Sequence, residues 1–181
     1  GASGGKAPRA AATQVLSRVL LKARLRPGAE LATCTSVDLL ESSFPLAADL
    51  RAASAAAVVA ELLLTFCPPG EDAERPFRLG ASALEALLGG TDPDVVVSYV
   101  TSWVLRLSGL MAEVGESGDV ELETPLKARP FLEACRRQPL AEVRGPVPPM
   151  VQRWLDRRAR EEAERPLRAL TFYRSVASEV G

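Results

Sequence analysis

The hydrophobic period of this chain changes once, near Ser42, and that change constrains the fold more than any other feature. Before it, apolar residues alternate. In residues 14–25, Val15, Val19, Leu21, Ala23 and Leu25 share one face, while Arg18, Leu20, Lys22 and Arg24, continued by Arg26, share the other. A period of two with both faces defined is a β-strand. Residues 26–29 (Arg-Pro-Gly-Ala) supply turn chemistry, and residues 30–41 alternate again with the Thr and Val content of a strand. The two runs predict a β-hairpin with one basic face. Two strands alone are marginal in water, so this hairpin must join a larger sheet or rest on helices.

Beyond Ser42 the period becomes 3.6. Ser43 can cap, Pro45 sits near the first turn, and Leu46, Leu50, Ala53, Ala57, Val58, Glu61 and Leu62 track a 3.6-residue period to about Phe66, where Cys67-Pro-Pro-Gly ends it. A second helix is expected from Arg75-Pro76 to Leu88, closed by Gly89-Gly90. A third opens at Asp92-Pro93 and runs to about Glu113, with Tyr99, Trp103 and Leu107 at four-residue spacing. Residues 115–124 read as an acidic turn with a short β excursion at 120–122, and residues 125–138 as a short helix. After Gly145-Pro-Val-Pro-Pro comes a helix over 150–164, which Pro166 should kink or restart as 167–180. The predicted class is therefore α+β, with a β unit over residues 1–41 and a mainly helical one over 42–181. The opening Gly1-Ala-Ser-Gly-Gly reads as the middle of a loop, either a cloning remnant or the start of a chain that begins inside a larger protein.

Charge is sorted along the same division. Residues 1–27 carry six cations (Lys6, Arg9, Arg18, Lys22, Arg24 and Arg26) and no acid; residues 28–126 carry a net −12 and residues 127–181 a net +5, within a total of −1. A polyanion responds to local potential, so the basic ends matter more than the overall balance. A strand face bearing Lys22, Arg24 and Arg26, preceded by Lys6 and Arg9, can track a phosphate backbone. The C-terminal cations Arg153, Arg157, Arg158, Arg160, Arg165, Arg168 and Arg174 stud two helices, and Glu161, Glu162 and Glu164 lie within pairing range of several of them.

Catalytic chemistry finds little support. The chain has no histidine, and Cys34, Cys67 and Cys135 are far apart, which removes His-based triads and structural zinc and leaves the cysteines as small apolar residues of a reducing compartment. Glu71, Asp72 and Glu74 read as solvated loop acids, and Asp92 and Asp94 as helix-start acids. Trp103 and Trp154 lie on apolar helical stripes and read as core. The longest apolar stretch, 52–64, is interrupted by Ser54 and Glu61, so no membrane span is expected and a cytoplasmic location is the default.

Taken in order, several segments resemble the bacterial recombination mediator family RecO: the loop Gly1-Ala-Ser-Gly-Gly-Lys6-Ala-Pro-Arg9; the strand segment 30–42 (ELATCTSVDLLES); the helix over 44–64 with Asp49-Leu50 and Glu61-Leu62; Trp103-Val-Leu-Arg-Leu-Ser-Gly-Leu; and residues 164–172 (ERPLRALTF). The resemblance covers nearly the whole chain. It implies an OB-fold barrel, here partial because the strands before the loop are missing, followed by a helical domain. The paired cysteines that hold zinc in many members have no counterpart in 116–138, and the family's late Lys-Ser is Arg168-Ala169 here. What the resemblance implies is a protein without catalytic activity or cofactor. It would bind single- and double-stranded DNA, anneal complementary strands, engage the acidic tail of single-strand binding protein, and act with RecR to load recombinase. Lys6, Arg9, Lys22, Arg24 and Arg26 would be the barrel-side DNA contacts, and Arg165 and Arg168 part of a C-terminal basic surface. A helical adaptor docking a basic partner on the acidic middle is the alternative; its mark would be an apolar groove among the helices and no continuous basic stripe.

Overall fold

The computed structural model describes residues 14–28, 31–67, 73–111 and 128–179. An antiparallel hairpin, β1 (Arg18–Arg24) and β2 (Thr33–Glu41), precedes six α-helices: α1 (Leu50–Phe66), α2 (Glu74–Leu88), α3 (Pro93–Leu107), α4 (Arg129–Arg137), α5 (Pro149–Glu162) and α6 (Arg168–Glu179). This is an α+β chain with most of its described residues in helices, and no strand follows Glu41 among them. None of its described helices is long and apolar enough to cross a membrane.

The hairpin register pairs Val19 with Leu39 and Leu21 with Val37 on one face, and Leu20 with Asp38 and Lys22 with Ser36 on the other. The alternation read from residues 18–24 is thus correct, yet neither face is buried: Leu20, Leu21 and Leu40 are all at least half exposed. Register shifts interrupt the ladder between Arg18 and Val19 and between Lys22 and Ala23. At the second, Thr35 is the extra residue, and its hydroxyl donates to the Lys22 carbonyl at 3.0 Å. Gly28 turns the chain at φ +77°, a conformation glycine adopts without steric cost.

The hairpin meets the helical body at its foot. Ser17 Oγ lies 3.0 Å from Ser43 Oγ and accepts the Ser43 N–H, while Ser43 Oγ donates to the Val15 carbonyl. Leu16 sits at φ +67°, a strained value for a bulky residue. Its side chain reaches Gly80 on α2, where an added Cβ would lie 3.9 Å from Leu16 Cδ1 and 3.1 Å from Leu63 Cδ1.

At the centre α1 packs against α2, α3 and α6, and α3 packs against α1, α2, α4 and α5. Small residues make close approach possible along α1, where Ala52, Ala55 and Ala56 are buried with Val58, Val59 and Leu62. α3 is buried continuously from Val95 to Ser102, and no expected amphipathic stripe survives there because helices cover it on several sides.

Several boundaries differ from expectation. The single helix expected from Ser43 is divided: a 3-10 turn, Phe44–Ala48, ends at Asp49, whose carboxylate accepts the N–H groups of Arg51 and Ala52 and so caps α1 instead. α3 stops at Leu107 rather than near Glu113, since Gly109 turns to φ +70° and the Ser108 hydroxyl bonds the Val104 and Phe66 carbonyls. Pro166 falls in a true break between α5 and α6. The acidic turn and β excursion expected at 115–124 lie outside the described residues.

Candidate nucleic-acid interface

Of the hairpin cations, Lys22, Arg24 and Arg26 are exposed, and no acidic side chain pairs with them among the described residues. Lys22 and Arg24 share the strand face carrying Arg18, as the alternation requires. Arg18 itself is spent structurally, 3.5 Å from Glu41 across the hairpin and 3.5 Å from Glu85 on α2. Lys6 and Arg9 lie outside the described residues.

Arg165 and Arg168 are also exposed. Arg165 Nη2 donates to Thr65 Oγ1 at 3.4 Å, which places it at the C-terminal end of α1. Arg168 opens α6, the positive end of that helix dipole, where a cation is disfavoured by about 0.3–1 kcal/mol. A carboxylate from a distant part of the sequence offsets this. Glu61 Oε1 and Oε2 accept the Ala169 and Leu170 N–H groups at 3.0 and 3.1 Å, capping α6 from α1. Among the described residues, the hairpin foot and Arg165 meet different sides of α1. Leu63 faces the hairpin foot while Thr65 faces Arg165, and two residues along a helix turn about 200°.

The other C-terminal arginines divide between surface and core. Arg157 and Arg158 pair with Glu161 and Glu162 at 3.8 and 3.2 Å, as their i,i+4 spacing allows. Arg174 does not belong to a basic surface. It forks onto Asp156 (Nε 2.7 Å, Nη2 3.0 Å) and donates to Asp94 Oδ1 at 2.7 Å. Asp94 is more than a helix-start acid, because it also accepts from Tyr173 at 2.8 Å and from Arg51 at 2.5 Å. Burial pushes its carboxyl pKa up, but the Tyr173 hydroxyl, Arg174 and Arg51 together outweigh burial and hold it below the ordinary carboxylate value. Burial, then the hydrogen bond to Asp94, raise the Tyr173 hydroxyl. This partly buried network ties α1, α3, α5 and α6 together and is structural.

The cysteines are likewise divided. Cys135 is a core residue whose thiol burial pushes up to about 12, whereas Cys34 is exposed on β2 rather than packed as a small apolar residue.

A groove that the sequence reading missed runs between α2 and α3. About 500 Å³ in volume, it has Leu79, Tyr99, Trp103, Leu107 and Leu140 as its apolar walls and Arg75 and Arg78 among its lining residues. Its rings are fixed: Tyr99 donates to the Gln138 carbonyl at 3.2 Å and Trp103 Nε1 to the Cys135 carbonyl at 3.0 Å. Trp154 is buried as expected, but Trp103 is only partly covered and serves both core and groove. A usable signal existed in Arg75, Arg78, Leu79 and Ser82, which follow helical spacing on one face of α2. It was hidden by the acidic surroundings of those arginines. Among the described residues no group of His, Cys, Asp and Glu is arranged to hold a metal ion. No protein-family model matches the chain, and no curated protein matches it either.

Proposed function

We propose that this chain is a cytoplasmic, non-catalytic DNA-binding mediator of recombination and repair, acting on single- and double-stranded DNA without a cofactor. The observation that carries the reading is the row of exposed cations Lys22, Arg24 and Arg26 on a projecting hairpin, with no acidic partner among the described residues. Side chains held in that way are available to phosphates, and their attraction needs no base sequence. Arg165 and Arg168 supply a second cationic surface on another flank, and two separate surfaces suit juxtaposition of two strands. The groove between α2 and α3 suits the acidic tail of single-strand binding protein. Its apolar walls would take apolar side chains, and Arg75 a carboxylate of the tail, with Arg78 available only by exchanging its pair with Glu74. Cooperation with RecR follows from the sequence resemblance alone.

Fluorescence anisotropy with the full chain tests this by separating two ligands, a labelled dT oligonucleotide and a labelled acidic peptide with an apolar C-terminus. Reversing Lys22, Arg24 and Arg26 together to Glu is expected to weaken oligonucleotide binding at least tenfold and leave peptide binding intact. Reversing Arg75 and Arg78 should do the opposite. Loss of both ligands in both variants, or no oligonucleotide binding by the unaltered chain, would refute the reading.

A helical adaptor without nucleic-acid binding is the second reading. It is favoured by the groove itself and by the meeting of the hairpin foot and Arg165 with different sides of α1. Binding of a labelled basic peptide without any DNA binding would select it.

A further inference from the structure

Phe172 is out of place for a residue of the α6 core. Leu167, Leu170, Tyr173 and Val176 form the buried side of that segment, whereas Phe172 is 53% exposed. Its position is one turn beyond Arg168, so the ring and the guanidinium stem rise from adjacent points on one exposed face. Arg165 stands just before the helix, held toward α1 through Thr65. Two cations and one uncovered aromatic ring therefore lie near the same end of α6; Arg168 stands against that helix dipole, with Glu61 satisfying the backbone donors, while Arg165 meets the C-terminal end of α1. Phe44 and Phe77 are exposed to a similar degree and Glu61 offsets the cost of Arg168, so it is the placing of this ring beside Arg165 and Arg168 that points to a ligand.

We propose that Phe172 is a base-stacking platform for single-stranded nucleic acid, with Arg165 and Arg168 holding the flanking phosphates. This deepens the DNA-binding reading above and rests on it. A ring that is half exposed offers a π-face to an unstacked base, and each base has one, so the contact is tolerant of sequence. In a duplex the bases are already stacked on each other, so the ring has nothing to take and only the arginines contribute. The surface should thus distinguish single strands from duplexes, which phosphate contacts by themselves do poorly.

The test compares three probes of equal length on the full chain at one salt concentration: a dT oligonucleotide, an abasic phosphodiester strand and a duplex. Phe172→Ala is expected to weaken dT binding about 5- to 100-fold, while abasic-strand and duplex binding stay unchanged, as does the melting temperature. Phe172→Trp should retain dT binding. Arg165→Glu with Arg168→Glu should weaken all three probes. If Phe172→Ala binds dT like the unaltered chain, or weakens all three probes alike, the stacking proposal is overturned while the arginine contacts can still stand. If the unaltered chain binds none of the probes, the DNA-binding reading falls and the proposal with it.

Discussion

Asp94 ties α3 to both α1 and α6. Its carboxylate takes three hydrogen bonds, from Arg51, Tyr173 and Arg174, in a setting where its side chain retains 16% exposure. Removing one partner of such a set leaves the others desolvated and unpaired, which costs more than the net value of the pair. Asp94→Ala is therefore expected to lower unfolding free energy by about 2–4 kcal/mol at neutral pH, read by urea denaturation. The pH dependence follows from the direction of its shift. The folded carboxyl titrates below the unfolded one, so its contribution is fully present above the ordinary carboxylate range, about pH 4. It is lost as pH falls through the folded value. The gap between the two proteins should narrow in acid below that range and stay constant from there to neutral pH. A gap that widened in acid would mean the carboxyl is held protonated instead.

At the scale of elements, two features are separable. The first is the cap that α1 lends to α6. Glu61→Ala removes the acceptor of two orphan N–H groups and the charge that balances Arg168, so a loss of about 0.5–2 kcal/mol is expected. Amide exchange should quicken first at Ala169 and Leu170. Equal protection in the variant would show that another group satisfies those donors. The second is the hairpin. It has two exposed faces, two register shifts and a small foot at Leu16, Ser17 and Ser43, whereas α1 and α3 are surrounded by other helices. Few buried contacts mean a low opening free energy. Amides in residues 18–24 and 33–41 should exchange much faster than those in 52–64 and 95–107, as hydrogen-exchange mass spectrometry would show. Comparable protection would mean that a further surface covers the hairpin.

For the molecule as a whole, the near-zero net charge hides a strong internal separation, and the folded arrangement keeps part of it. Cations stand on the hairpin and at the start of α6, while Arg18, Arg51, Arg157, Arg158 and Arg174 are consumed by internal pairs. Only unconsumed cations release counterions from DNA. With three to five phosphate contacts, log affinity for single-stranded DNA should fall with log salt at a slope of about −2 to −3.5. The Lys22, Arg24 and Arg26 reversal should bring it about two units nearer zero. A slope near zero for the unaltered chain would show that phosphates are not its ligand.

The amino-acid sequence by itself determined the order and kind of the elements. The hairpin follows from a period of two and the helices from a period of 3.6, with Pro93, Gly89-Gly90 and Pro166 marking ends, because these patterns act over a few neighbouring residues. The basic strand face was legible for the same reason, since alternation sets which side chains share a side. Tertiary structure alone decided what became of each charge. Asp94 and Arg174 are 80 residues apart and Glu61 and Ala169 are 108 apart, so no local pattern could reveal that they meet. Arg75 and Arg78 looked like minor cations in an acidic block until α3 placed Tyr99 and Trp103 beside them. Helix packing brings such residues together only when the whole core closes. A charge's neighbours, and hence whether it binds a ligand or braces the fold, are properties of that closure rather than of the segment that carries it.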